Sequence, residues 1–207
     1  MTVESRAVKT LPLFAALLFL LASCGGPEVP NLDSPGKTIV CLGDSITSGV
    51  GAEPGQPFPA LLSEKLGVEV INAGVAGDTA EAGLARVGDV LALDPWMVIV
   101  ELGGNDILRQ VPPAQTEAAL RQILDRLLAA RVVPVLVEVE VPFAGRYTDV
   151  FERLDEAYDI PVVEDALGDI LLDPALKADP IHPNAEGQRK LAEAVADVVE
   201  PIVEARQ

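Results

Sequence analysis

Ser45, Asp179 and His182 are the residue types that a nucleophilic hydrolase requires. A serine hydroxyl becomes an effective nucleophile when a neighbouring base takes its proton. Histidine is the usual base at neutral pH. The chain has 1 histidine, His182, so a serine enzyme with an imidazole base must use it. The imidazole needs a carboxylate to fix its tautomer and to stabilise the imidazolium. Asp179, three residues earlier, can curl back within one turn of chain. The tetrahedral intermediate needs donors already aimed at its oxyanion. The backbone N–H groups of Ser45 and Gly74 and the side-chain amide of Asn105 can supply three. Each residue alone has a plainer role. Ser45 can cap a helix, Gly74 and Asn105 can turn the chain, and Asp179 to Asn184 can open the last helix. Together they fit one chemistry, acyl transfer through a serine. The α/β-hydrolase elbow G-x-S-x-G is absent, because the stretch reads Gly43-Asp44-Ser45-Ile46-Thr47.

These residues must be positioned by the elements around them. From Lys37 onward, short apolar runs alternate with helical spacing. Strands are expected at 38–42, 68–71, 97–102, 132–139 and 161–163. Helices are expected at 59–66, 79–91, 114–130, 146–158 and 184–203. Asp78 and Glu81 read as a capping box at the start of the second helix. Leu120, Ile123, Leu124, Leu127 and Leu128 lie on one face of the third. Alternating strands and helices imply parallel pairing and right-handed crossovers. Continuously apolar strands imply a sheet covered on both faces. The expected fold is therefore a doubly wound α/β sandwich with about five strands. Such a sheet gathers active groups at the carboxyl ends of its strands. Ser45, Gly74 and Asn105 all directly follow predicted strands.

Lys and Arg number 15 against 32 Asp and Glu, a net charge of −17. That balance argues against a nucleic-acid-binding surface, which needs clustered Lys and Arg. A solvated acidic surface is the plain reading. Nearly half the chain, 49%, is apolar, enough for one sizeable core.

At the N-terminus, Arg6 and Lys9 precede the apolar run 11–22, which small residues then end. This is the pattern of a secretory signal, too short for the roughly 20 residues of a membrane span. Leu21-Ala22-Ser23-Cys24 resembles the lipobox of bacterial lipoproteins, in which the cysteine becomes lipidated after cleavage. The expected organisation is a signal peptide at 1–23, lipidated Cys24 with a flexible tether at 24–36, and one hydrolase domain at 37–207. The protein would be exported and held on a membrane through Cys24, facing the periplasm or the exterior. The other cysteine, Cys41, lies inside an apolar run and reads as a small buried hydrophobe.

Four blocks carry a family resemblance. They are Val40-Cys-Leu-Gly-Asp-Ser-Ile-Thr47, Asn72-Ala-Gly-Val-Ala-Gly-Asp-Thr79, Glu101-Leu-Gly-Gly-Asn-Asp106 and Asp179-Pro-Ile-His-Pro-Asn184. In this order they resemble the SGNH (GDSL-type) hydrolases, from about Lys37 to the C-terminus. The resemblance implies a flavodoxin-like three-layer α/β/α sandwich with no metal or other cofactor. It implies Ser45 as nucleophile, His182 as base with Asp179 as its partner, and Ser45, Gly74 and Asn105 as the oxyanion hole. Gly145-Arg-Tyr-Thr-Asp-Val-Phe151 is similar to the arylesterase and acyl-CoA thioesterase I (lysophospholipase L1-like) branch. Two departures stand out: Ile46 replaces the leucine of the family's name, and the loop Val141-Pro-Phe-Ala-Gly145 lacks that branch's Pro-Pro-Asn-Tyr-Gly-like segment. The expected substrates are short-to-medium acyl esters or thioesters. The alternatives are a carbohydrate acetylesterase of the same chemistry and a non-catalytic binding lipoprotein on the same fold.

Overall fold

Apolar runs buried on both faces become the strands of one sheet. The structure is a computed structural model describing residues 29–139 and 145–206. In chain order it contains β1 (Thr38–Gly43), α1 (Ser45–Ser48), α2 (Phe58–Leu66), β2 (Val70–Gly74), α3 (Ala80–Leu91), β3 (Pro95–Glu101), α4 (Gly104–Leu108) and α5 (Pro113–Ala129). β4 (Val133–Val137), α6 (Thr148–Ala157), β5 (Val162–Val163), α7 (Ala166–Leu172) and α8 (Ala185–Arg206) follow. The sheet has 5 strands in the order β2-β1-β3-β4-β5, all pairs parallel. Its central strands read Ile39 to Leu42 and Met97 to Val100, every residue essentially inaccessible. Such strands are stable only with cover above and below. α8 packs with α2 and α7, and α5 packs with α3 and α6, giving the two helical layers of a flavodoxin-like α/β/α sandwich.

This strand order places its topological switch between β1 and β3. Chain leaving β1 turns toward β2, and chain leaving β3 turns toward β4. A crevice opens where the two part, at the carboxyl ends of the strands. Gly43 is in register with Gly74 on one side and with Glu101 on the other. The three strand ends that carry Ser45, Gly74 and Asn105 are therefore adjacent.

β2 runs from Val70 to Gly74 rather than over 68–71, so Gly74 ends the strand, and the elements depart from expectation in three further places. The helix at 79–91 starts with Thr79 as its cap, whose hydroxyl accepts from Ala82 N at 3.3 Å. The expected Asp78–Glu81 capping box does not form, because the Asp78 carboxylate is taken by Arg86 at 2.7 Å. Short helices α1, α4 and α7 appear where loops were expected. Finally, residues 29–36, assigned to the flexible tether, lie against the domain. Asn31 donates to Leu128 O at 3.1 Å and Val132 O at 3.2 Å, Arg206 donates to Leu32 O and Gly36 O, and Val29 and Leu32 touch the core. Pinned backbone carbonyls and partly buried apolar side chains hold this stretch despite its loop-like composition. The signal peptide, Cys24 and residues 141–144 of the expected substrate loop lie outside the described residues.

Candidate active site

Ser45 is presented by a sharp turn between a strand and one turn of helix. β1 ends at Gly43, and Asp44 caps α1 by accepting the Ile46 N–H at 2.9 Å. Gly49, with φ of 88°, ends the helix in the left-handed region, where glycine alone is unstrained. The turn is tight enough to exclude side chains on both sides. A Cβ on Gly43 would lie 1.9 Å from Thr47 Oγ1, and one on Gly74 would lie 2.3 Å from Ser48 N. Asn72 ties β2 to the same turn, donating to Thr47 O at 2.7 Å. From the far side, Gln188 of α8 donates to Ile46 O at 3.0 Å and accepts from Phe58 N at 2.8 Å.

His182 arrives on the loop before α8. Ala178 N donates to His182 O at 2.9 Å and Asn184 N to Leu176 O at 2.8 Å, closing the loop into a tight hairpin. Asn184 then caps α8, its Oδ1 accepting from Glu186 N at 3.0 Å and Gly187 N at 3.1 Å. Asp179 Oδ1 accepts the N–H groups of Ile181 at 2.9 Å and His182 at 3.0 Å. That fixes the carboxylate and leaves Oδ2 for His182 Nδ1, at 2.7 Å. On the other edge of the ring, His182 Nε2 is 3.0 Å from Ser45 Oγ. With Nδ1–H donating to Asp179, the Nε2 lone pair faces the serine hydroxyl and can accept its proton. The His182 hydrogen bond, followed by that of the Ile181 N–H, holds the Asp179 carboxyl below the usual carboxylate range. The three side chains expected to act together are thus one hydrogen-bonded line.

The three expected oxyanion donors are placed less simply. The Ser45 N–H is at the first position of α1, where no helical acceptor exists. Asn105, in α4, lies beside Ser45 in the same crevice. Its amide donates to Asp44 Oδ2 at 2.8 Å and to Asp78 O at 2.9 Å. The Gly74 N–H donates to Asn72 Oδ1 at 2.9 Å. Two of the three donors therefore already have protein acceptors.

The crevice is about 470 Å³, the size of a small-molecule pocket. Ser45 and Asn105 lie on its floor, with Leu108, Val139, Leu172 and Ile181 among its walls. Leu108 is 55% exposed and Leu172 61%, so an apolar rim faces solvent at the mouth. A mostly apolar wall beside a serine–histidine pair suits an acyl chain attached to a reacting carbonyl.

Several further residues support the site. Asp44 and Glu101 are buried carboxyls beneath Ser45, both held above their ordinary range mainly by burial. Buried Asp106 joins three helices, accepting from Ala80 N at 2.9 Å and Thr116 Oγ1 at 3.0 Å. A carboxylate at the end of an otherwise apolar strand, as at Glu101, is the signal available in the sequence. Gln188 and Asn72 gave no such signal, because a polar residue on a helix or strand end is usually solvated.

Comparison with known proteins agrees with this geometry. The GDSL-like lipase/acylhydrolase family matches residues 41–190, which include Ser45, Asp179 and His182. The chain belongs to that family. It is 37% identical over 176 residues to the thioesterase 1/protease 1/lysophospholipase L1 of Escherichia coli, covering 80% of this chain and 85% of that protein. It is 30% identical over 199 residues to the esterase TesA of Pseudomonas aeruginosa, covering 89% and 98%. A crystal structure of TesA superposes with a TM-score of 0.74 at 32% identity, covering 80% of this chain and 99% of that one. As a member of this family, the chain is a serine hydrolase of ester bonds.

Proposed function

We propose that Ser45 attacks the carbonyl of a short-to-medium acyl ester or thioester, forming an acyl-enzyme. The observation that carries this reading is the line Asp179 Oδ2–His182 Nδ1 and His182 Nε2–Ser45 Oγ, opening on an apolar crevice. In the first half-reaction the Ser45 hydroxyl proton passes to His182 Nε2 as Oγ bonds the carbonyl carbon. Asp179 stabilises the imidazolium that results. The imidazolium then gives the proton to the leaving alkoxide or thiolate, and the C–O or C–S bond breaks. Water repeats the sequence to release the carboxylic acid and restore Ser45.

The oxyanion would be met by the Ser45 N–H and by the Asn105 amide and Gly74 N–H. The last two exchange a neutral acceptor for a charged one. Hydrogen bonds to an anion are roughly twice as strong as neutral ones, so the oxyanion outcompetes Asp78 O and Asn72 Oδ1. Asp44 keeps its hold on Asn105 throughout and prevents the amide from rotating away.

The acyl chain would run along Val139, Leu172, Leu108 and Ile181. This wall favours aliphatic acyl groups over an acetylated sugar, whose hydroxyls would face leucine. The names of the relatives, thioesterase, lysophospholipase and esterase, support the same substrate class. Export and anchoring through a lipid on Cys24 complete the proposal. They would put the crevice near a source of acyl lipids.

The test is hydrolysis of p-nitrophenyl butyrate by wild type and Ser45→Ala. Wild type should turn over, and the variant should lose at least about 10⁴-fold in kcat. Equal rates would refute the proposal.

A further inference from the structure

Two carboxyl groups lie stacked under the nucleophile without a buried cation between them. Glu101 closes β3 and is 0% exposed, while Asp44 is 2% exposed. Gly43, just before Asp44, pairs across the sheet with Glu101, so both carboxyls come to the same strand ends. Glu101 Oε2 accepts the Thr47 hydroxyl at 2.7 Å. Its other oxygen, Oε1, is buried with no hydrogen-bond donor, the one such side-chain atom among the described residues. A bare carboxylate oxygen in that position is costly. A protonated one is not, provided an acceptor is near. The Asp44 carboxyl, buried at the same strand ends, can accept that proton, and burial followed by the Asp44 charge pushes the Glu101 carboxyl up.

We propose that Glu101 carries a proton and donates it to Asp44, and that this acid–carboxylate pair is the device that positions Asn105 beside Ser45. Glu101 is the deeper of the two, walled in by β1 and Thr47, so burial disfavours its charge more. Asp44 faces the crevice and His182, and takes the Ile46 N–H and the Asn105 amide. A charged Asp44 holds both donors more strongly than a neutral one would. Two carboxyls that share a site do not both ionise when burial and mutual repulsion add. Gly43 is part of the device, since a Cβ there would strike the Thr47 hydroxyl that anchors Glu101. The inference rests on the esterase reading only for its functional half, because the protonation of Glu101 stands apart from any activity.

The charged and titratable groups around the pair are few. From β1 the buried Cys41 thiol feels Glu101, and from the α8 approach His182 faces Asp44. From α3, Arg86 caps Gly43 O at 3.2 Å and pairs with Asp78. The backbone N–H groups of Asp44 and Thr47 also face Glu101.

Infrared spectroscopy on the whole chain tests the first half. At pH 8 wild type should show a protonated-carboxyl C=O band that shifts when glutamate is carbon-13 labelled and is absent from Glu101→Gln. Only ionised glutamate bands in wild type would overturn the proposal, and that arm needs no variant to fold. The second half is read from kinetics with p-nitrophenyl butyrate. Glu101→Gln keeps a donor toward Asp44 and an acceptor for Thr47, so its kcat should stay within about threefold of wild type. Glu101→Leu removes the donor, and kcat should fall roughly 10²-fold or more with little change in KM. Equal kcat in the two variants would overturn the positioning role. Failure of wild type itself to hydrolyse the ester, with the infrared band present, would refute the esterase reading and leave the pair intact.

Discussion

Gln188→Met separates the framework from the chemistry it holds. Gln188 is fully buried in α8 and makes two long-range hydrogen bonds through one amide. Its Oε1 accepts from Phe58 N, the first residue of α2, which follows Pro57 and has no side-chain cap of its own. Its Nε2 donates to Ile46 O, one residue after Ser45. Methionine matches the length of glutamine and makes neither bond. Phe58 N would be left buried without an acceptor, a loss of about 1–3 kcal/mol. Ile46 O would keep the Gly49 N–H at 3.2 Å, so it loses one of two donors. That second loss is an ordinary hydrogen bond, about 0.5–1.5 kcal/mol. The sum is about 1.5–4.5 kcal/mol, or roughly 3–18 °C in Tm for a domain of this size. The assay is urea unfolding followed by circular dichroism, with thermal scans beside it. The midpoint should fall with the m-value unchanged. The kcat should fall too, because α1 loses the hydrogen bond that ties Ile46 O to α8. A destabilisation under about 0.5 kcal/mol would refute the reasoning, since even one lost hydrogen bond exceeds that.

Further outcomes follow from the same geometry. Asn105→Ala should lower kcat roughly 10²- to 10³-fold on p-nitrophenyl butyrate while leaving KM nearly unchanged, as expected of a transition-state donor. A proportional rise in KM would assign the residue to substrate binding instead. Activity should fall on acidification, since an imidazolium cannot accept the serine proton. The lowered Asp179 pKa keeps that carboxylate charged through the limb. Its stabilising contribution is present above the unfolded carboxylate pKa, about 3.9, and is lost only as pH falls below it through the folded value. A kcat/KM profile with no acid limb would contradict this arrangement. Glu101 has the opposite sign. Its raised pKa gives a contribution present below the unfolded value, about 4.3, and lost as pH rises toward the folded one. Leu172→Asp should cost more in kcat/KM for longer p-nitrophenyl esters than for the acetate, each buried methylene being worth about 0.8 kcal/mol. An equal loss across the chain-length series would remove Leu172 from the acyl wall.

The sequence made the sheet legible because burial on both faces leaves an unbroken signal. Ile39 to Leu42 and Met97 to Val100 have no polar residue to blur it. The reacting side chains were legible for a different reason. With one histidine in the chain, the chemistry had a single candidate base, and the Asp179 spacing offered its partner. Helices α1, α4 and α7 were not legible, because helices of four to seven residues complete too few turns to display a period. The start of α3 was misplaced by one residue because Asp78 and Thr79 are both good caps. Arg86, eight residues further on, decides between them by pairing with Asp78. The stretch 29–36 looked like tether because its loop-like composition hides long-range bonds such as Asn31 to Leu128 O. The engagement of Asn105 by Asp44 also depends on side chains 61 positions apart, which no local pattern records.

Covalent trapping tests the central claim, that Ser45 is the nucleophile made reactive by His182. The protein would be treated with a fluorophosphonate ester, and the adduct located by intact mass and peptide mapping. One phosphonyl group is expected on the Ser45 peptide, with loss of esterase activity in step with labelling and at least about a 10³-fold slower reaction in His182→Ala. An adduct on another residue, or full inactivation with Ser45 unmodified, would contradict it.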